Sequence, residues 1–151
     1  MIRVQLEDFD IGLELKKLSS GNLGIGGISS FVGLVRDFVG VEKIKGMTLE
    51  YYPGMTEKAL TAIEREAHKR WALESTLIIH RYGSLKPGDQ IVLVCASSAH
   101  RKSAIEACHF LIDWLKTKAP FWKCEELPNG SEWVKARDLD IEQTMKWITR
   151  D

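Results

Sequence analysis

The stretch KTKAPFWKCE, residues 116–125, sets Lys116, Lys118 and Lys123 around an apolar dip of Ala119, Pro120, Phe121 and Trp122. Ammonium groups on a solvated surface need no aromatic neighbours, so this pattern raises a question of chemistry. Lys116 falls in the last turn of an expected helix, where a cation complements the helix dipole. Lys123 falls in an expected strand, where a side-chain period of two puts it on the face of Phe121. An amine held against aromatic carbon loses its proton more readily and can serve as acid, base or nucleophile. A lysine stem can equally lie over apolar surface with its charge in water. The pattern leaves both readings open.

A second cluster, SSAHRKSA at residues 97–104, spans the end of an expected buried strand and the start of a helix. A helix N-terminus presents unpaired backbone N–H groups and a partial positive charge. Ser98 is the expected N-cap. His100 and Arg101 add cations where the dipole is already positive, which costs helix stability and makes an anion site. The plainer reading is a capping His100 and a solvent-facing Arg101. Arg36 closes the first long strand, as an anion ligand or as a solvated terminator. His80 and Arg81 end another strand and compete as an anion site. His68 and His109 lie on helices with no partner at ligand spacing. The chain has no H-x-x-x-H, P-loop or G-x-G-x-x-G motif, so no metal, dinucleotide or other cofactor is expected. Cys95, Cys108 and Cys124 are odd in number and lack C-x-x-C spacing, which reads as plain thiols rather than a disulfide framework or zinc site.

The elements that must position these groups follow from periodicity. Residues 10–19 read as a short helix. IGGISSFVGLVR, residues 25–36, reads as a strand whose glycines suggest a bulge or a close backbone approach. Residues 39–45 read as a mobile loop, and 47–52 as a strand. Pro53-Gly54 precedes a helix running to about Trp71, with Ala59, Leu60, Ile63 and Ala67 at helical spacing. STLIIHR (75–81) is a strand, LKPGD a turn, and Gln90 to Ser97 a buried strand. Residues 101–118 form the strongest helix, striped by Ala104, Ile105, Cys108, Leu111, Ile112 and Leu115, and Pro120 prevents its continuation. Residues 121–126 and 132–135 form a hairpin around Asn129-Gly130, and the chain from Asp140 is helical. Strand pairs separated by helices predict an α+β fold. Its mostly antiparallel sheet carries two main helices on one face.

At 151 residues the chain is expected to form one domain, 1–151, with 44% apolar and 28% charged residues. Lys plus Arg equals Asp plus Glu at 21 each, which argues against a general nucleic-acid binder. No run approaches the roughly 20 apolar residues of a membrane span. The start, MIRVQLEDFD, lacks a signal-peptide core, so a cytoplasmic location is expected.

The chain resembles the catalytic, large subunit of molybdopterin synthase. The resemblance rests on FVGLVR (31–36), LEYYPGMTEKAL (49–60), HRYGSLKPGD (80–89), SSAHR (97–101), DWLKTKAPFWKCE (113–125) and the W-V-x-A-R of Trp133 to Arg137. These run in order over about two-thirds of the chain, residues 31–137. It implies an α/β hammerhead fold with an added small antiparallel β subdomain. It implies a sulfurtransferase that converts cyclic pyranopterin monophosphate (precursor Z) into the dithiolene of molybdopterin. The sulfur is carried as a thiocarboxylate on the C-terminal glycine of a small ubiquitin-like subunit. The resemblance also implies a homodimer of large subunits within a heterotetramer. By the resemblance, the essential lysines fall on Lys116 and Lys123. Substrate-binding segments fall on Leu34-Val35-Arg36, His100-Arg101 and Lys123-Cys124-Glu125, and a further pocket arginine on Arg137. Many relatives carry a basic residue where this chain has Cys124. On these expectations Ala119 to Trp122 form the wall of the pocket. Two competing functions are a non-catalytic phosphate or nucleotide-binding module built on the 98–101 helix start, and a scaffold that only presents a partner through exposed aromatics.

Overall fold

The computed structural model describes residues 1–134 and 138–148. The apolar run IVLVCA makes strand β8 (Gln90–Ser98) the centre of the molecule, with Leu93, Val94, Cys95 and Ala96 wholly buried. Successive side chains point to opposite faces, so both faces of this strand need cover. β8 pairs antiparallel with β6 (Ser75–Arg81) on one side and with β2 (Gly27–Leu34) on the other. β1 (Ile2–Gln5), a strand the sequence reading lacks, adds to β6 in parallel, giving the order β1-β6-β8-β2.

Helices α2 (Met55–Arg70) and α3 (Arg101–Thr117) cover one face. There Leu60, Ile63, Ala67, Phe110 and Leu111 pack with Ile78, Val94 and Ala96. The expected single helical face is corrected by α1 (Ile11–Ser19). Its Ile11, Leu15 and Leu18 pack on Leu77, Ile79, Leu93 and Cys95, the other side of the same strands. A sheet apolar on both sides could not have left that face bare. Asp10 caps α1, its carboxylate accepting the Leu13 N–H at 2.8 Å.

The expected cap of α3 is also corrected. The N-cap residue is His100, whose side chain makes no capping bond. Ser98 stays in β8, its hydroxyl donating to the Ala72 carbonyl at 2.7 Å and accepting the His100 N–H at 3.2 Å. After α3, the last described element is α4 (Asp138–Ile148). Trp147 Nε1 donates to the buried Asp113 carboxylate at 2.6 Å, and Thr144 Oγ1 donates to the Asp113 carbonyl at 2.9 Å. These bonds clamp α4 against α3.

A second sheet, wholly antiparallel, has the order β10-β9-β5-β7. Its strands are β5 (Gly46–Tyr51), β7 (Gly83–Leu85), β9 (Phe121–Leu127) and β10 (Gly130–Val134). The expected hairpin is present, closed at Gly130, whose φ of 133° suits glycine alone. Lys135, its expected last residue, lies outside the described residues. The expected mobile loop at 39–45 contains a two-stranded ribbon, β3 (Phe38–Val39) with β4 (Glu42–Lys43).

No ladder joins the two sheets along β6 and β9. Where they meet, the His80 ring of β6 stacks on Phe121 of β9 with centroids 3.7 Å apart and planes at 16°. Thr56 Oγ1 also donates to the Pro120 carbonyl at 3.0 Å, tying the entry of β9 to α2. Burial first, and the charge of Lys123 as well, push the pKa of His80 down from 6.5 to about 4.

The unfolded chain therefore takes up a proton at His80 before the folded one does. That stabilisation is complete above pH 6.5 and is lost as pH falls toward 4, by up to about 3 kcal/mol. Urea midpoints measured from pH 7.5 down to pH 4.5 should fall steeply for the parent protein and clearly less for His80→Gln; parallel curves would rule out His80 as the titrating group.

Candidate active site

The seam between the two sheets opens into a cleft of about 600 Å³. Its apolar floor includes Phe31 and Gly33 of β2, Ile91 and Val92 of β8, Ile112 and Leu115 of α3, and Leu49 of β5. Gly33 is required by space, since a Cβ there would stand 2.7 Å from Val92 Cγ1. Three cations reach this floor from three elements: Arg36 just after β2, Lys116 in the last turn of α3, and Lys123 in β9. Two carboxylates share it, Glu125 of β9, only 6% exposed, and Asp140 of α4.

Strand alternation sorts the expected site residues. Phe121, Lys123 and Glu125 are alternate residues of β9, and all three border the cleft. Cys124 lies between them and takes the other face, cross-strand from Thr48 and Trp133. The resemblance leaves the side-chain role of position 124 open, and alternation turns that side chain away from the cleft. Trp122 also turns away. It is 52% exposed and meets Tyr52 edge-on at 6.3 Å, so of the expected wall only Ala119 and Phe121 line the cleft.

The same alternation splits the segment 34–36. Leu34 and Arg36 line the cleft, whereas Val35 is 3% exposed and packs with Met47, Leu49 and Leu85. Its backbone is engaged too, the N–H donating to Asp89 O at 2.9 Å and the carbonyl accepting from Gly88 N at 2.8 Å. The Val35 side chain therefore lies in the core and does not line the cleft. His100 and Arg101 are exposed at the start of α3, and Lys116 sits near its end. Fifteen residues of helix separate Arg101 from Lys116, about 22 Å of rise, so one chain does not bring them together. Arg137 lies outside the described residues.

His80 is the cleft residue that the sequence reading misplaced. The expectation of a joint His80-Arg81 anion site fails because adjacent strand residues face opposite ways. Arg81 donates to the carbonyls of Leu6 at 3.0 Å and Gln90 at 2.9 Å, and it stands 3.7 Å from Asp8. His80 instead borders the cleft as a neutral ring. The signal that could have found it is its position two residues after Ile78 on the buried face of β6, where a polar ring needs a reason.

Cys95 and Cys108 are buried thiols that are not poised for chemistry. All three cysteines are unbridged, and burial pushes Cys95 up to about 12 and raises Cys108 as well. Among the described residues no group of three or more His, Cys, Asp or Glu side chains converges as metal ligands would, and no helix is long and apolar enough to cross a membrane. What the cleft can do is hold an anion on Arg36, Lys116 and Lys123 against an apolar floor.

Comparison with known proteins gives this geometry a family. The model of the MoaE protein family matches residues 4–118. A molybdopterin synthase catalytic subunit from Pseudomonas aeruginosa is 51% identical over 146 residues, covering 97% of each chain. Among solved structures, a molybdopterin biosynthesis MoaE protein from Burkholderia ambifaria superposes with a TM-score of 0.85 at 45% identity, covering 99% of both chains. Molybdopterin synthase from Staphylococcus aureus gives 0.80 at 32% identity, over 87% of this chain and 95% of its own. Sequence and three-dimensional likeness agree over nearly the full length, and the chain belongs to the MoaE protein family.

Proposed function

We propose that this chain is the catalytic subunit of a molybdopterin synthase, an enzyme of molybdenum cofactor biosynthesis working in the cytoplasm. In this reading it is a sulfurtransferase. Sulfur comes from the C-terminal thiocarboxylate of a small ubiquitin-like subunit and goes to precursor Z, forming the molybdopterin dithiolene. The observation that carries the reading is the convergence of Arg36, Lys116 and Lys123 on one apolar-floored cleft. The substrate brings a phosphate, and acyl transfer from the tail develops an oxyanion. Fixed cations beside an apolar floor act on such charges more strongly than they would in bulk water, and most strongly once substrate and tail displace water from the cleft. Lys116 and Lys123 are the catalytic pair. Leu34, Arg36 and Glu125 complete the pocket from the same chain. A non-catalytic phosphate-binding module built on the start of α3 is not favoured, since it leaves this cleft without a role.

Lys116→Ala and Lys123→Ala should each abolish or nearly abolish dithiolene formation from precursor Z and thiocarboxylated small subunit, with circular dichroism unchanged. Near-parental turnover in either variant would remove that lysine from the mechanism. The small subunit should dock chiefly through its tail, because an extended tail is read by backbone and carboxylate contacts. Deleting its last two glycines should leave weak surface binding and no sulfur transfer; transfer that persists would exclude tail insertion.

The separation of Arg101 from Lys116 leads to a shared site. A two-fold dimer can bring the helix start of one chain to the helix end of the other. In this reading His100 and Arg101 of one subunit complete the pocket of its neighbour within a heterotetramer. Mixing Lys116→Ala with Arg101→Ala subunits should then restore activity, because each mixed dimer contains one intact site. Verified subunit exchange with no recovery would show that each site belongs to one chain.

A further inference from the structure

His80 is 8% exposed, and its ring borders the cleft. Its Nδ1 lies 2.8 Å from the Arg81 carbonyl oxygen. A carbonyl only accepts, so Nδ1 carries the proton and Nε2 carries the lone pair. Among the described residues no N–H or O–H group donates to that lone pair. The ring is held in its plane by the Phe121 stack, so it offers the cleft an edge rather than a face. Protonation does not satisfy the nitrogen, because burial and the nearby Lys123 charge keep its pKa at about 4. Only Arg3 Nε and Trp114 Nε1 are buried without a partner among the described residues, so Nε2 is reachable, and the cleft is where a ligand donor can meet it in place of water.

We propose that His80 is a further substrate-binding residue, whose Nε2 accepts an in-plane hydrogen bond from a ring N–H of the flat, phosphorylated heterocycle held by the cleft cations. This rests on the reading of the cleft as a pterin site. Phe121, on which His80 stacks, and Lys123 are alternate residues of one strand face, about 7 Å apart. A fused ring system bearing an anion spans that distance. The backbone of a diglycine tail also offers N–H groups, but a rotatable chain gains little from an acceptor fixed in one plane. The same lone pair repels a ring nitrogen that lacks hydrogen, so His80 discriminates against heterocycles presenting an acceptor at that position.

The test uses the full chain labelled with [15N]histidine. The Nε2 signal is assigned by its loss in His80→Gln and is titrated separately with precursor Z and with small subunit ending in a plain carboxylate. Precursor Z should move the Nε2 signal upfield, and the small subunit should not. In turnover, His80→Phe keeps the ring shape without the acceptor and should raise the KM for precursor Z about tenfold, more than it lowers kcat. His80→Gln carries an acceptor oxygen and should recover most of that loss. An unmoved Nε2 signal, with precursor Z still bound and weakened by Lys123→Ala, overturns the role of His80 and leaves the pterin site standing. Movement by the small subunit alone, or equal losses in both variants, also overturns it. If precursor Z fails to bind the parent protein, the pterin reading and this one fall together. The parent spectrum decides the matter even if His80→Phe does not fold.

Discussion

Two sheets that share no ladder along β6 and β9 must be held together by side chains, and the stack of His80 on Phe121 does this beside the cleft. The contact constrains much else. It fixes the entry of β9, and through strict alternation it fixes which of residues 121–125 face inward. Lys123 and Glu125 are cleft residues because Phe121 is a seam residue. A one-residue slip would turn both outward and bring Trp122 and Cys124 in. The Thr56 hydroxyl on the Pro120 carbonyl guards against such a slip from the α2 side.

The seam also shapes the electrostatics. Three cations around an apolar floor would repel one another in an empty cleft, and the carboxylates of Glu125 and Asp140 offset that charge. A protonated His80 would add a fourth positive charge beside Lys123. Burial and Lys123 together keep the ring neutral, so it can serve as packing surface and as acceptor at once. The cleft is thus polarised along β9, from Phe121, which carries the His80 ring of β6, to the Lys123 ammonium and the Glu125 carboxylate at the next inward positions.

Much of this was legible in the sequence because the local signals were strong. STLIIHR and the 101–118 stripe gave β6 and α3 nearly residue for residue, and Asn129-Gly130 marked the hairpin. The pairing of Lys123 with Phe121 followed from a period of two. What stayed hidden depended on partners distant in the chain. β1 is four residues long and becomes a strand only by lying beside β6. The second helical layer, α1, is required by the two-sided apolar character of β8, which a list of elements does not weigh. Val35 and Cys124 enter as site residues only because the family resemblance carries over whole segments, whereas the strand faces turn both side chains away from the cleft. Contiguity in sequence is not contiguity on a strand face. His80 was read with Arg81 for the same reason, and the structure separates them.

The residues after α3 show why the cleft cannot be read from the family core alone. The matched family region ends at 118, two residues past Lys116, yet Lys123, Glu125 and Asp140 all lie beyond it. β9 is held by its ladder to β5, a long-range pairing that runs from Gly46 with Glu126 to Tyr51 with Phe121. α4 has no ladder and depends on the Asp113 clamp. The Asp113 carboxylate takes the Trp147 indole N–H, with Lys146 at 3.5 Å and His109 at 3.4 Å, while Trp147 packs edge-on against Trp71 and Phe110. A carboxylate buried at a helix–helix contact is stable only when donors surround it. α4 alone supplies the indole N–H and the Lys146 ammonium. The clamp therefore works only in the register that brings the first turn of α4, with Asp140, to the cleft. The clamp is what keeps Asp140 at the edge of the same cleft that Lys116 borders from α3.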